Sequence, residues 1–418
     1  LTYNLARHIG TELAVRQVAR RLSAYAYAET RLMEAQAGWL VSIPLAEDKI
    51  ELGYHLFEDA NHADGFRARL PELGDFSGMP KPPDERLAIF FDELTNADDL
   101  VERYIGLFRV VRPALIALYE AQIEASDAVA DAPTVRLLRR ALENHRSALA
   151  WGEGRLAALD VAGGEAWEAH LRALLIAAGG LTGEASPGNT PMRRYPQPLK
   201  RFRSAPPVRD SRFHIAAYER HEGRAATDVW DEDSLLKYWF MMVEGELEVL
   251  EACGRTLFDF PDAPWELRLV LARQLWDEGR HAELSLQRFA ELGGKLDMLP
   301  VRDTFPLYFD PIRNTDLAKR LAHINQVVEG WVTDDFAMMV DICRALGDER
   351  SARLFDQLIT DEWLHIKIGA DWIPRLTADN ASYRQEVIRY RLETERKIYA
   401  GLDAAARETA RRFTKEKP

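Results

Sequence analysis

Two short segments of the chain, Asp277-Glu278-Gly279-Arg280-His281 and Asp361-Glu362-Trp363-Leu364-His365, carry one pattern, Asp-Glu-x-x-His. Each lies where apolar residues recur every three or four positions, the signature of an amphipathic helix. Residues three apart on a helix share a face. Glu278 sits among Leu267, Leu271, Leu275, Ala282 and Phe289 with His281 on the same side, and Glu362 shares a face with Phe355, Leu358 and His365. Both motifs therefore aim acids and imidazoles into an apolar interior, which few folds tolerate.

Two more glutamates behave alike. Glu246 stands in the stripe of Leu235, Trp239, Met242, Val243, Val249, Leu250 and Cys253, and Glu329 is flanked by Ala322, Val332 and Phe336. Glu246 precedes Glu278 by 32 residues and Glu329 precedes Glu362 by 33, so the chain reads as an internal duplication. Buried carboxylates gathered together repel or take up protons. Cations remove that conflict, and mixed carboxylate and imidazole ligation suits iron or manganese. A four-helix bundle with one Glu from each of two helices and Glu-x-x-His from the other two holds two such ions. The order here is Glu246, Glu278-x-x-His281, Glu329, Glu362-x-x-His365. One Glu-x-x-His is expected about once by chance among ten histidines. The register of two copies, not either motif alone, therefore carries the reading. A ligating histidine usually donates its second N–H to a carboxylate. Asp277 and Asp361 are placed to accept it, each from the histidine of the opposite hairpin.

The rest of the 418 residues reads as all-α, because period-two alternation hardly occurs. Helices are expected at about 4–43, 46–70, 96–126, 132–161, 164–178, 232–258, 264–292, 315–346, 348–374 and 381–412. We expect a helical domain over 1–178, a Pro/Gly/Arg-rich linker over 179–230, the metal-bearing bundle over 231–376 and a charged helix over 377–418. That last helix would pack across the bundle or against a second copy in a homodimer. The linker's arginines are expected to be solvated or paired with acids. A net charge of −13 argues against nucleic-acid or anionic-membrane binding. No apolar run reaches the length of a membrane span and no signal-peptide pattern opens the sequence. Cys253 and Cys343 read as core thiols, so a cytoplasmic location is the expectation.

The order Glu, Asp-Glu-x-x-His, Glu, Asp-Glu-x-x-His resembles the ferritin-like di-iron carboxylate superfamily. More narrowly, "GELEVLEACGRTLFDFPDAP", "DEGRHAELSLQRFAELG" and "TDEWLHIKIGADW" are similar to a bacterial ferritin-like family related to tRNA-hydroxylating di-iron enzymes. The likeness covers about residues 235–372 and is specific for the metal site, not for the substrate. It implies two iron ions (Fe2+/Fe3+), or a manganese–iron pair, in a centre that reacts with O2. It also draws attention to Thr333, four residues after Glu329, where related hydroxylases place a threonine for proton delivery; the alternative is a threonine bonded to its own backbone.

The first half has a weaker likeness of the same kind. Glu29, then His55, Asp59 and His62, then Glu120 and His145 lie on helical stretches, but Leu142 stands where the motif needs an acid. We read a degenerate copy without a full metal set, whose polar groups bond one another, bind one metal or line a cavity.

These features favour an oxygen-activating oxidase or monooxygenase acting on a small or carrier-bound organic substrate. No flavin, nicotinamide or iron–sulfur signature is present in the sequence, so electrons are expected from a separate reductase or ferredoxin. Ferroxidase or peroxide-scavenging chemistry is one alternative. A metal-stapled binding scaffold without turnover is the other.

Overall fold

The structure, a computed structural model, describes residues 13–76, 80–195, 207–216, 230–298, 300–302 and 310–399. The chain is all-α, and its contacts divide it into two compact units. The first comprises residues 1–39 and 54–201; the second comprises 40–53 and 202–418. Periodicity gave no sign that residues 40–53 belong with the second unit. The expected helical ends at 4–12 and 400–412, and parts of the 179–230 stretch, lie outside the described residues.

In the first unit α1 (Val15–Trp39) and α2 (Ala46–Arg69, from Tyr54 onward) are followed by α3 (Glu85–Thr95), over residues to which the sequence reading assigned no helix. The helix is short but well started: the Asp84 carboxylate accepts from the Arg86 backbone N–H at 2.8 Å, which satisfies an otherwise orphaned donor. Next come α4 (Leu100–Ile105), a π-helical segment Gly106–Val111, and α5 (Arg112–Ala125). The single helix expected over 96–126 thus carries an inserted wide turn. The unit closes with α6 (Ala132–Ala157) and α7 (Gly164–Ala177). A Cβ on Gly152 would strike the Phe108 ring, so α6 and the π segment approach closely there. Arg193 and Arg194, from the Arg-rich stretch, pair with Asp92, Asp98 and Glu102 of this unit.

In the second unit α8 (Glu232–Asp259) and α9 (Trp265–Glu291) form one packed hairpin. The other begins with α10 (Leu317–Leu321), passes through a second π-helical segment, Ala322–Val328, and continues as α11 (Glu329–Ala345) and α12 (Glu349–Leu376). Gly347, at φ 77°, makes the turn between the last two, a conformation that favours glycine. A further helix, α13 (Ala381–Tyr399), packs on the α10–π segment. Two three-residue strands, β1 (His214–Ala216) and β2 (Pro300–Arg302), pair in parallel. They are too short to show alternation in the sequence. Among the described residues no helix is long and apolar enough to cross a membrane.

The apolar stripe of α8 is buried as expected, and Trp239 stacks on Phe355 with ring centroids 4.3 Å apart. Such a pair adds about 0.5–1.5 kcal/mol beyond its area. The polar stripe of α8 is buried too. Arg209 reaches Glu244, Glu248 and Glu251 at 3.0, 2.7 and 3.3 Å, and Lys49 pairs with Glu251. Segments 40–53 and 207–213 thus cover a face that periodicity alone would leave to solvent.

Candidate metal centre

Glu246 comes from α8, Glu278 and His281 from α9, Glu329 is the first residue of α11, and Glu362 and His365 come from α12. None is more than 5% exposed. The structure brings all six together. His281 Nδ1 lies 3.3 Å from Glu278, 3.4 Å from Glu362 and 3.6 Å from Glu246. His365 Nδ1 lies 3.0 Å from Glu362 and 3.3 Å from Glu278. The donor atoms fall into two groups, Glu246–Glu278–His281 and Glu278–Glu329–His365, each within 4.8 Å, and Glu278 belongs to both. Glu362 spans them as well, one oxygen toward each histidine.

The outer face of each ring is crossed between hairpins. His281 Nε2 lies 3.2 Å from Asp361, and His365 Nε2 lies 3.5 Å from Asp277. Arg280 bridges the two aspartates, donating to Asp361 at 2.8 Å and to Asp277. A carboxylate on Nε2 keeps the proton there, which leaves Nδ1 as the nitrogen that would give its lone pair to an ion.

Two amides that sequence reasoning missed complete the network. Gln274 donates to Glu329 at 2.6 Å and Glu278 at 3.2 Å, and Asn325 donates to Gln274 at 2.7 Å and to the His365 carbonyl at 3.1 Å. Each stands four residues before a glutamate of the set, on its face; that spacing was the available signal. Thr333 is buried, and its hydroxyl donates to the Glu329 carbonyl at 2.8 Å. That is the backbone-bonded arrangement.

The electrostatics are those of acids crowded out of water. Burial, helped by Glu278 and Glu362, pushes Glu246 up to about 8 even though His281 opposes it. Burial and the charges of Glu278 and Glu362 push Glu329 well above the carboxylate range. Burial works to lower both histidines, yet their acidic neighbours raise them well above 6.5. Burial resists ionisation of Asp361, but His281 and Arg280 hold it down to about 2.

Residues 190–416 match a family described as "Protein of unknown function (DUF455)". That is more than half of the chain. The chain belongs to this family. No curated protein and no solved structure matches it. All six residues of the centre, with Asp277 and Asp361, lie inside the DUF455 region, whereas the helices of the first unit precede it.

The donor set fits a pair of metal ions. His281 Nδ1 is buried without a hydrogen-bond partner, facing three carboxylates at 3.3–3.6 Å. Those gaps are long for charge-assisted hydrogen bonds, which run at about 2.7–2.9 Å. Ligand atoms each about 2.1 Å from one ion stand roughly 3–3.5 Å apart. Asp361→Asn replaces an obligate acceptor on His281 Nε2 with a group that can also donate. A fall of about 10–100-fold in metal affinity is expected, measured by competition with a chelating dye; unchanged affinity would remove Asp361 from this role.

Proposed function

We propose that the second unit is a ferritin-like bundle holding two metal ions, iron or a manganese–iron pair, and that the protein is an oxygen-activating oxidoreductase. The observation that carries this reading is the pair of donor groups joined by Glu278, with an aspartate behind each histidine. Glu246, Glu278, His281, Glu329, Glu362 and His365 would hold the ions. The chemistry such a pair supplies when bound is reductive activation of dioxygen for attack on an organic substrate.

The protein's own contribution is binding, orientation and exclusion of water. Asp277 and Asp361 fix the imidazole tautomers, and Gln274 and Asn325 orient Glu278 and Glu329. Trp239, Phe336 and Phe355 pack together as an apolar wall that limits water entry. Electrons come from an external reductase or ferredoxin, and the substrate is a small or carrier-bound organic molecule.

Anaerobic titration of the metal-free chain with ferrous iron is expected to saturate at about two ions per chain. Admitting oxygen then produces near-ultraviolet charge-transfer absorption and oxygen uptake. Saturation below about one ion, or a loaded chain inert to oxygen, overturns the proposal.

A further inference from the structure

The first unit carries a second buried cluster that this reaction does not use. It comprises Glu29 on α1, Asp59 and His62 on α2, Arg112 and Tyr119 on α5, and His145 on α6. Glu29, Asp59, His62 and His145 bring one donor atom each within 4.8 Å of one another, as the two donor groups of the second unit do. The two clusters also correspond position by position. Asp59-x-x-His62 parallels Glu278-x-x-His281, and His145 parallels His365. Each unit interrupts the helix before its third contribution with a π segment. The residue directly after that segment is Glu329 in one unit and Arg112 in the other.

The difference that matters is the sign of the group behind each histidine. In the second unit those groups are the carboxylates of Asp361 and Asp277, which only accept. In the first unit they donate. Arg112 lies 2.8 Å from His145 Nδ1, and a guanidinium has no acceptor, so Nδ1 must accept. The proton then sits on Nε2, 2.8 Å from Glu29 Oε1. His62 Nε2 lies 3.1 Å from the Asn144 amide nitrogen, and the orientation of that amide is set by its other bond, to the Glu58 carboxylate. Nε2 therefore accepts, and Nδ1 points its proton at Glu29 Oε1, 3.5 Å away and without a hydrogen bond. Both rings turn N–H groups inward where a metal needs lone pairs.

The counter-charge is also supplied already. Arg112 binds Asp59 through both oxygens, at 3.0 and 3.1 Å, and Gln36 adds a bond to Asp59 at 2.6 Å. Tyr119 donates to Glu29 at 2.6 Å. A bidentate guanidinium inside a bundle supplies the positive charge that an ion would otherwise bring.

We propose that Arg112 and Asn144 close the first unit to metal and so decide which of the two units loads it: the guanidinium replaces an ion, and the donor behind each ring fixes the tautomer that cannot ligate. Arg112 and Asn144 are positioning residues; neither belongs to the centre of the second unit.

Titration of the full chain with cobalt(II) alone, read by its visible absorption, tests this. Glu29→Gln and His62→Ala are expected to keep every ion that the unaltered chain takes up. Loss of an ion in either variant overturns the proposal. Arg112→Met removes the donor on His145 Nδ1 and leaves Asp59 without its cation; Glu29 Oε2, buried and without a hydrogen-bond partner, is available as a ligand oxygen. One further cobalt ion per chain is expected, and a folded variant that takes none overturns the proposal. Should that variant fail to fold, 15N imidazole shifts of the unaltered chain decide. Protons on His62 Nδ1 and His145 Nε2 support the assignment, and the opposite tautomers overturn it. A chain that takes up no cobalt in either unit sinks the function proposed for the second unit while agreeing with closure of the first.

Discussion

Glu278→Ala is expected to empty the centre of both ions, while Glu246→Ala and Glu329→Ala each cost about one. Glu278 belongs to both donor groups, whereas Glu246 belongs to one and Glu329 to the other. Metal content after loading and desalting separates these outcomes: close to none for Glu278→Ala, about half for the other two. Equal losses from all three variants would mean that Glu278 is not shared.

The metal-free chain is expected to lose stability as pH rises from about 4.5 to 8, the reverse of ordinary acid denaturation. Glu246 ionises near 4.5 when unfolded and near 8 when folded and metal-free. Between those values the folded state holds a proton that the unfolded state has released. Stability from this group is therefore complete below the lower value and is lost as pH climbs through the upper one. Glu329, His281 and His365 are raised as well and add to the slope in the same sense. The combined effect is on the order of several kcal/mol. Asp361, held down to about 2, acts at the other end: its contribution is present above 3.8 and lost below. Bound metal replaces the protons and flattens the slope above pH 5. Melting curves with and without a chelator should therefore diverge toward alkaline pH, by roughly 10 °C at pH 8. A metal-free melting temperature that rises over this interval would show that the acids are not crowded out of water.

Much of the centre was legible because helical spacing is a local property. Glu278 and His281, or Glu362 and His365, must share a face whatever surrounds the helix, and the apolar residues around them identify that face as buried. Helix α3 was missed although Leu87, Phe90, Phe91 and Leu94 keep helical spacing; the turn-rich segment before it hid its start, which the cap at Asp84 marks. The buried polar stripe of α8 was missed for another reason. Its partners are far away in sequence: Lys49 sits in the first turns of α2 and Arg209 in the Arg-rich stretch, and nothing within α8 records either.

From the sequence alone came the helical class, the inward phase of four glutamates and two histidines, and the pairing of each histidine with an acid three residues before it. Only the folded chain decided which nitrogen of each ring faces the acids and whether the group behind it gives or takes a proton. His281 meets Asp361, 80 residues away, and His145 meets Arg112, 33 residues away. Hydrogen-bond direction is set by such distant neighbours, and periodicity along one helix carries no record of them.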